Sequence, residues 1–320
     1  MTRLDLATLQ AAADIVYRSM TPTAQIRWPL LALRCGCEVW VKHENHTPTG
    51  AFKIRGGLVY MNDLARREPD VAGVIAATRG NHGQSVAFAA RAQGINSVIV
   101  APFGNSPAKN KAMKAYGAEL IEHGEDFNAA LDYAQALATE RGLHMMDSYH
   151  ELLVQGVASY SLELFSAAPD LDTFYVPLGL GSGVCAAIAV RDALNLKTKI
   201  VGVVAENAAA YALSFDAKTP VSTNSADTFA DGVAVRVPNP EALEVILAGL
   251  ERVVKVSDDE ILAAMGHYFD DTHNIAEGAG AAPLAALLKE RDAMAGRSVG
   301  LVLTGGNLDR DLYMRVLAKG

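Results

Sequence analysis

Val71-Ala72-Gly73-Val74-Ile75-Ala76-Ala77-Thr78-Arg79-Gly80-Asn81-His82-Gly83-Gln84 decides how this chain is read. A strand-length apolar run, residues 71–77, stops at a polar turn punctuated by glycine, and an Ala-rich helical stretch, residues 84–93, follows it. The same grammar recurs further out. Residues 173–178 run into Gly179-Leu180-Gly181-Ser182-Gly183, and residues 298–303 run into Thr304-Gly305-Gly306-Asn307. In parallel α/β folds ligands bind at the carboxyl ends of strands. Glycines there let backbone amides approach an anion, and a following helix adds its positive N-terminal end. A single cluster is explained by a tight turn. Three at the same kind of position, each carrying polar side chains, point to a shared ligand site.

Between these turns the apolar runs and 3.6-period stretches alternate along the chain, which places it in the α/β class with a mostly parallel sheet. Strands are expected at 38–44, 71–77, 97–101, 119–122, 143–147, 173–179, 199–206, 252–256 and 298–303. Helices are expected from near 52, at 84–93, 126–141, 184–195, 241–249, 258–270 and 283–294. Ser106-Pro107 reads as a cap and first-turn proline opening a further helix to Tyr116. Residues 68–147 thus hold a compact four-strand β-α unit.

The 320 residues correspond to about two domains. Half are hydrophobic and a fifth are charged, enough apolar material for two cores. This excludes a disordered tail, a collagen-like repeat and a small disulfide scaffold. With 28 basic against 36 acidic residues the net charge is −8, and no basic block marks a nucleic-acid surface. The apolar stretches are strand-length, short of the ~18–20 residues of a membrane span, so no membrane partner is expected. Charges within Met1-Thr2-Arg3-Leu4-Asp5-Leu6 exclude a secretory signal. Three cysteines, Cys35, Cys37 and Cys185, fit a reducing cytoplasm rather than a disulfide framework. Cys35-Gly36-Cys37 has no second pair to complete four ligands, so no metal is expected.

Lys53 lies in Glu44-Asn45-His46-Thr47-Pro48-Thr49-Gly50-Ala51-Phe52-Lys53-Ile54-Arg55-Gly56-Gly57. Periodicity alone makes it a surface lysine near a helix start. Its surroundings suggest more: a polar, glycine-punctuated loop delivers it, and Phe52 beside it can pack on a flat ring. Arg55 would help to keep a neighbouring amine deprotonated, as a lysine nucleophile requires. A dinucleotide reading stays open at 179–183, with Glu206 closing the next strand as a ribose-binding acid. There the pattern is G-x-G-x-G-V, and Val184 stands where Gly or Ala is needed.

The whole set resembles the fold type II pyridoxal-phosphate (PLP) enzymes, the threonine/serine dehydratase and serine racemase family. Phe52-Lys53-Ile54-Arg55-Gly56 resembles the family's S-F-K-x-R-G, with Ala51 in place of the serine. Residues 78–84 resemble S-x-G-N-H-G-Q, and 179–183 resemble the phosphate loop. Ala230-Asp231-Gly232 resembles A-D-G, Glu277-Gly278-Ala279-Gly280 resembles E-x-x-G, and Thr304-Gly305-Gly306-Asn307 resembles S-G-G-N. The resemblance implies a tryptophan synthase β-like fold, with two three-layer α/β/α domains and mostly parallel sheets. It implies a large PLP-binding domain from residues 1–67 and 148–320 and a small inserted domain from 68–147, with the ligand between them.

The resemblance also implies roles. Lys53 would hold PLP as a Schiff base and then take the substrate α-proton, beside Phe52. Asn81 would bond the phenolic oxygen, Gly179, Leu180, Gly181, Ser182 and Gly183 would cradle the phosphate, and Thr304 would face the pyridine nitrogen. Thr78, Arg79, Gly80 and His82 would grip the substrate, with Glu277 near the ring. The implied activity is an ammonia-lyase that takes an L-3-hydroxy amino acid, threonine or serine by default, to a 2-oxo acid and ammonia. A homodimer or larger homo-oligomer is implied as well.

Three departures qualify the family pattern. Arg79 stands where the racemase has its serine base, so little racemisation is expected; in the pocket it would favour 3-hydroxyaspartate. Glu206 lacks a second ligand at Ala212, against a divalent site. Only thirteen residues follow Asn307, too few for a regulatory domain. The rival readings are a dehydratase for 3-hydroxyaspartate, a serine or aspartate racemase, a nicotinamide oxidoreductase, and a PLP-binding protein without catalysis.

Overall fold

The computed structural model describes residues 4–318, so Met1-Thr2-Arg3 of the stretch read against a signal lie outside the described residues. Among the described residues ten strands form two sheets: β1 (Gln25–Arg27), β2 (Glu38–His43), β3 (Val74–Ala77), β4 (Ser97–Ala101), β5 (Glu119–Glu122), β6 (His144–Met145), β7 (Thr173–Pro177), β8 (Lys199–Ala205), β9 (Arg252–Val256) and β10 (Ser298–Leu303). The larger sheet has the order β1-β2-β10-β7-β8-β9, and the smaller has β5-β4-β3-β6. All neighbours run parallel except β1 against β2. The last strand of the chain therefore sits inside the larger sheet, with Leu303 opposite His43. This pairing brings the turn after β10 beside the loop that leaves β2.

Both sheets are buried on two faces, as near-continuous apolar strands require. One face of the larger sheet packs Val39, Val41, Tyr175, Val201 and Leu301 against helices Asp258–Thr272 and Gly278–Lys289. The other packs Phe174, Val176, Ile200, Val204 and Val302 against Glu151–Ala167 and Ser182–Ala193. In the smaller sheet, Ile75, Ala77, Val98 and Val100 meet helix Phe127–Arg141. Val74, Ala76 and Ile99 share a cluster with Ile54, Leu58 and Val86 from helices Lys53–Arg67 and Asn81–Ala92. The expected three-layer α/β/α arrangement is present in both.

Several boundaries differ from expectation for local reasons. The helix expected at 84 starts at Asn81, because Gly80 caps it without a side-chain bond and leaves no capping signature to read. The helix expected from Pro283 starts at Gly278 and carries the proline inside it. Its small first turn permits close approach: a Cβ at Gly280 would lie 2.8 Å from the Gly305 carbonyl oxygen. Helix Glu151–Ala167, seventeen residues long, is not expected at all. Most of its residues are buried, so it lacks the polar stripe that periodicity detects. Among the described residues no helix is long and apolar enough to cross a membrane.

Candidate active site

Lys53 begins helix Lys53–Arg67, and the loop before it is laced to the turn after β10. The Phe52 amide donates to the Thr304 carbonyl at 2.9 Å, and the Gly306 amide donates to Gly50 at 3.0 Å. Ala51 and Gly305 form an antiparallel bridge, and Asn307 Nδ2 donates to the Thr49 carbonyl at 2.8 Å. Gly50 has φ +70°, and a Cβ there would lie 2.6 Å from Asn307 Oδ1, so glycine is required twice over. From the other side, Ser85 Oγ donates to the Lys53 carbonyl at 2.6 Å.

The lysine amine lies 5.4 Å from the Phe52 ring centre and has no hydrogen bond or ion pair among the described residues. Burial brings its pKa down from 10.5 to about 8. An amine of that basicity keeps a useful fraction of its lone pairs free near neutrality.

Arg55 does not perform the service expected of it. Its guanidinium is fully buried and turned to carboxylates: Nε and Nη2 grip Glu44 at 2.6 and 2.9 Å, and Nη1 reaches Glu163 at 2.6 Å. Its charge is spent there, and the lowered basicity of Lys53 comes from burial. Lys42 joins the same cluster through Glu163, and Thr23 Oγ1 donates to Glu44 at 2.6 Å. Burial works against the Glu163 carboxylate, but Arg55 and Lys42 overrule it and hold its pKa below the ordinary value. The cluster anchors both ends of the lysine loop, at Glu44 before it and Arg55 after it.

An anion cradle lies close by. Helix Ser182–Ala193 starts at Gly181, with no side chain capping it. The first-turn amides of a helix have no partner within the helix. Gly179, Leu180 and Gly181 also donate no backbone hydrogen bond among the described residues. Gly181 has φ +107°, and a Cβ at Gly179 would lie 2.2 Å from the Gly232 carbonyl oxygen. Tyr211 Oη donates to the Leu180 carbonyl at 2.9 Å and fixes the loop from below. Tyr160 links cradle and lysine: its hydroxyl donates to the Gly183 carbonyl at 3.3 Å, and its ring meets Phe52 edge-on at 6.2 Å. Both tyrosines lie on helices that the sequence reading lacked, so no motif pointed to them.

Thr78, Arg79, Gly80, Asn81 and His82 form the third wall. Thr78 Oγ1 accepts from the Gly80 amide at 3.2 Å. Asn81 Nδ2 donates to Glu277 at 2.7 Å, and Asn307 Nδ2 donates to Asn81 Oδ1 at 2.9 Å. This joins three of the expected motifs in one chain of side chains. Thr304 is buried beside them. His82 is buried with Nε2 unpartnered, and burial followed by the charge of Lys53 drives its imidazole down to about 3. It is therefore neutral at pH 7. Arg79 is exposed, with no ion pair or hydrogen bond among the described residues.

Glu277 is pushed up from 4.5 to about 7 by burial, with Lys109 and Asn81 pulling the other way. A carboxyl raised in the folded state favours folding below its unfolded pKa, and that benefit fades as pH rises through the folded value. Glu277→Gln should therefore flatten a decline in melting temperature between pH 4.5 and about 7. An unchanged pH profile would contradict this assignment.

These features fit a phosphorylated carbonyl cofactor: a buried amine of lowered basicity, and amides at a helix start that no side chain among the described residues caps. Together the fold and the site define a class of enzyme that works through such a cofactor. The profile of the family described as "Pyridoxal-phosphate dependent enzyme" matches residues 16–305, and the chain belongs to that family. This sets aside the nicotinamide reading of residues 179–183.

The chain is 35% identical over 287 residues to the catabolic L-threonine dehydratase of Staphylococcus aureus, covering 88% of this chain and 82% of that protein. It is 31% identical over 298 residues to the biosynthetic L-threonine dehydratase of Haemophilus influenzae, covering 92% of this chain but 58% of that protein. Its fold is similar to the processed form of threonine deaminase isoform 2 from Solanum lycopersicum, with TM-score 0.91 and 27% identity, over 99% of this chain and 94% of that one.

Proposed function

We propose that this chain is a PLP-dependent ammonia-lyase that converts L-threonine or L-serine to the 2-oxo acid and ammonia. The observation that carries the reading is the free, buried amine of Lys53, with its basicity lowered to about 8, beside an uncapped helix start. Kinship with two L-threonine dehydratases supports the substrate.

Lys53 would hold the cofactor through its aldehyde, and its amine, of basicity lowered by burial, would accept the substrate α-proton. When bound, the cofactor supplies an electron sink for the pair that this proton leaves behind. The amides of Gly179, Leu180, Gly181, Ser182 and Gly183 would hold its phosphate, and Phe52 would pack beside its ring. Asn81 and the Thr304 hydroxyl would hold its polar ring substituents. A hydroxyl, unlike a carboxylate, leaves the ring nitrogen uncharged, which suits loss of a leaving group over long-lived carbanions. Thr78, Gly80 and the neutral His82 would receive the substrate carboxylate. Arg79, a permanent cation, cannot serve as the second base that racemisation needs.

A panel of L- and D-hydroxy amino acids, including 3-hydroxyaspartate, tests the reading by release of 2-oxo acid and ammonia. Turnover of L-threonine or L-serine is expected, and turnover of 3-hydroxyaspartate alone would overturn it. Gly179→Ala should weaken PLP binding by about ten-fold or more, since overpacking costs ~1–3 kcal/mol. Titration of the apoenzyme by absorbance measures this, and unchanged affinity would remove the loop from the phosphate site.

Residues 68–147 are proposed as the small domain, which the confinement of β3–β6 to the smaller sheet supports. A cytoplasmic homodimer or larger homo-oligomer is proposed too. Three buried free cysteines support the first, and exposed Ile26, Leu30 and Leu33 near the edge strand β1 support the second.

A further inference from the structure

We propose that Lys109 is a positioning residue of this active site: tied to Asp231 across the cleft, its stem holds the backbone of Gly80, and with it residues 78–82, in the arrangement that receives the substrate carboxylate. The proposal rests on the ammonia-lyase reading above. It gives a task to Ala230-Asp231-Gly232, a motif visible in the sequence to which no chemistry has yet been attached.

Lys109 lies on helix Pro107–Ala115, which follows β4 on the side of the smaller sheet. Its side chain is 14% exposed, little for a lysine. The stem runs over the substrate loop so closely that a Cβ at Gly80 would lie 2.9 Å from Lys109 Cδ. Past the loop, Nζ pairs with Asp231 Oδ2 at 2.8 Å. Burial opposes the ammonium, but Asp231, Glu277 and Asp309 outweigh it and raise its pKa. The charge is thus held firmly at the cleft.

Asp231 belongs to the other side. It opens a short 3-10 helix, Asp231–Val233, whose Gly232 carbonyl presses on Gly179 of the anion cradle. Gly232 in turn lies against Ala279, two residues beyond Glu277. One ion pair therefore spans from the substrate loop to the floor of the cofactor cradle. Two neighbouring ties run in the same direction: Ser106 Oγ donates to Asp309 at 2.6 Å, and Tyr116 Oη donates to the Pro48 carbonyl at 2.7 Å. Gly80 has no side chain and so offers the lysine stem a flat backbone to press on. A bulkier residue would be forced onto that stem.

The test compares Lys109→Met, Asp231→Asn and the double variant as holoenzymes. Each single variant should raise KM for L-threonine about ten-fold with kcat changed less than about three-fold, and the double variant should be no worse than either, because one pair is broken once. Asp231→Asn separates positioning from simple attraction. If Lys109 only drew the substrate carboxylate by charge, freeing it from Asp231 would lower KM; the positioning role raises it. Hydrogen exchange of the amides at 79–82, measured without substrate, should quicken in both single variants while PLP absorbance stays intact. Unchanged KM, additive losses in the double variant, a lowered KM in Asp231→Asn, or unchanged exchange each overturn the proposal. A wild-type enzyme that releases no ammonia from any hydroxy amino acid would instead overturn the functional reading, and the exchange result would still judge the loop.

Discussion

Lys53→Ala is expected to lower ammonia release by at least about 10⁴-fold, because in the proposed function one side chain would supply both the covalent hold and the base. The expected loss has an optical counterpart. Wild-type protein reconstituted with PLP should keep a visible absorbance through dialysis, and borohydride should fix the cofactor on the peptide containing Lys53. The variant should keep neither. Capture of the cofactor by wild-type apoenzyme should quicken as pH rises through about 8, where burial has placed the amine. Retained absorbance together with retained ammonia release would refute the role of Lys53. The Lys53 amine makes no hydrogen bond or ion pair among the described residues, so the alanine variant should still fold.

Glu163→Ala carries the largest expected cost to stability. It leaves Arg55 and Lys42, both fully buried, short of a carboxylate. Removing one partner from a buried ion cluster costs about 3–5 kcal/mol. Denaturant unfolding of the holoenzyme should show a markedly lower midpoint, with Glu163→Gln falling between the variant and wild type because the amide keeps one acceptor. A change below about 1 kcal/mol would mean that water reaches the cluster in the variant and replaces the lost partner. Part of the damage should also reach chemistry, since Glu44 and Arg55 bracket the loop that presents Lys53.

The strands of the fold were legible because parallel sheets bury both faces and write near-continuous apolar runs into the chain. β4, β5, β9 and β10 fall at the residues expected from those runs. Glycine turns were legible for a related reason: Gly50, Gly179 and Gly181 sit where any side chain would strain the backbone or strike a neighbour. What escaped the sequence was whatever depends on contacts distant in the chain. Helix Glu151–Ala167 is buried almost all round and has no period to detect. With it went Tyr160 and Glu163, one bridging Phe52 to the cradle and the other neutralising Arg55. Arg55 was misjudged for the same reason. Adjacency in sequence suggested that it acts on Lys53, while its true partners lie 11 and 108 positions away. Lys109 is one of three lysines on helix Pro107–Ala115, and the approach of Asp231 from 122 positions away distinguishes it.

Helix Lys53–Arg67 belongs to two neighbourhoods at once. Its start is laced to the turn after β10, while Ile54, Leu58 and Leu64 complete the apolar cluster beneath β3 and helix Asn81–Ala92. The smaller sheet is thus contiguous in the chain yet incomplete as a folding unit. A fragment cut at 68 and 147 would carry all four strands into water with the underside of β3 stripped of its cover. Expressed alone it should aggregate, whereas a fragment beginning before Lys53 would bring that cover with it. For anyone grafting or swapping this part between relatives, the workable seam lies ahead of the lysine and not behind its helix, and the residue that marks the chemistry travels with the smaller piece.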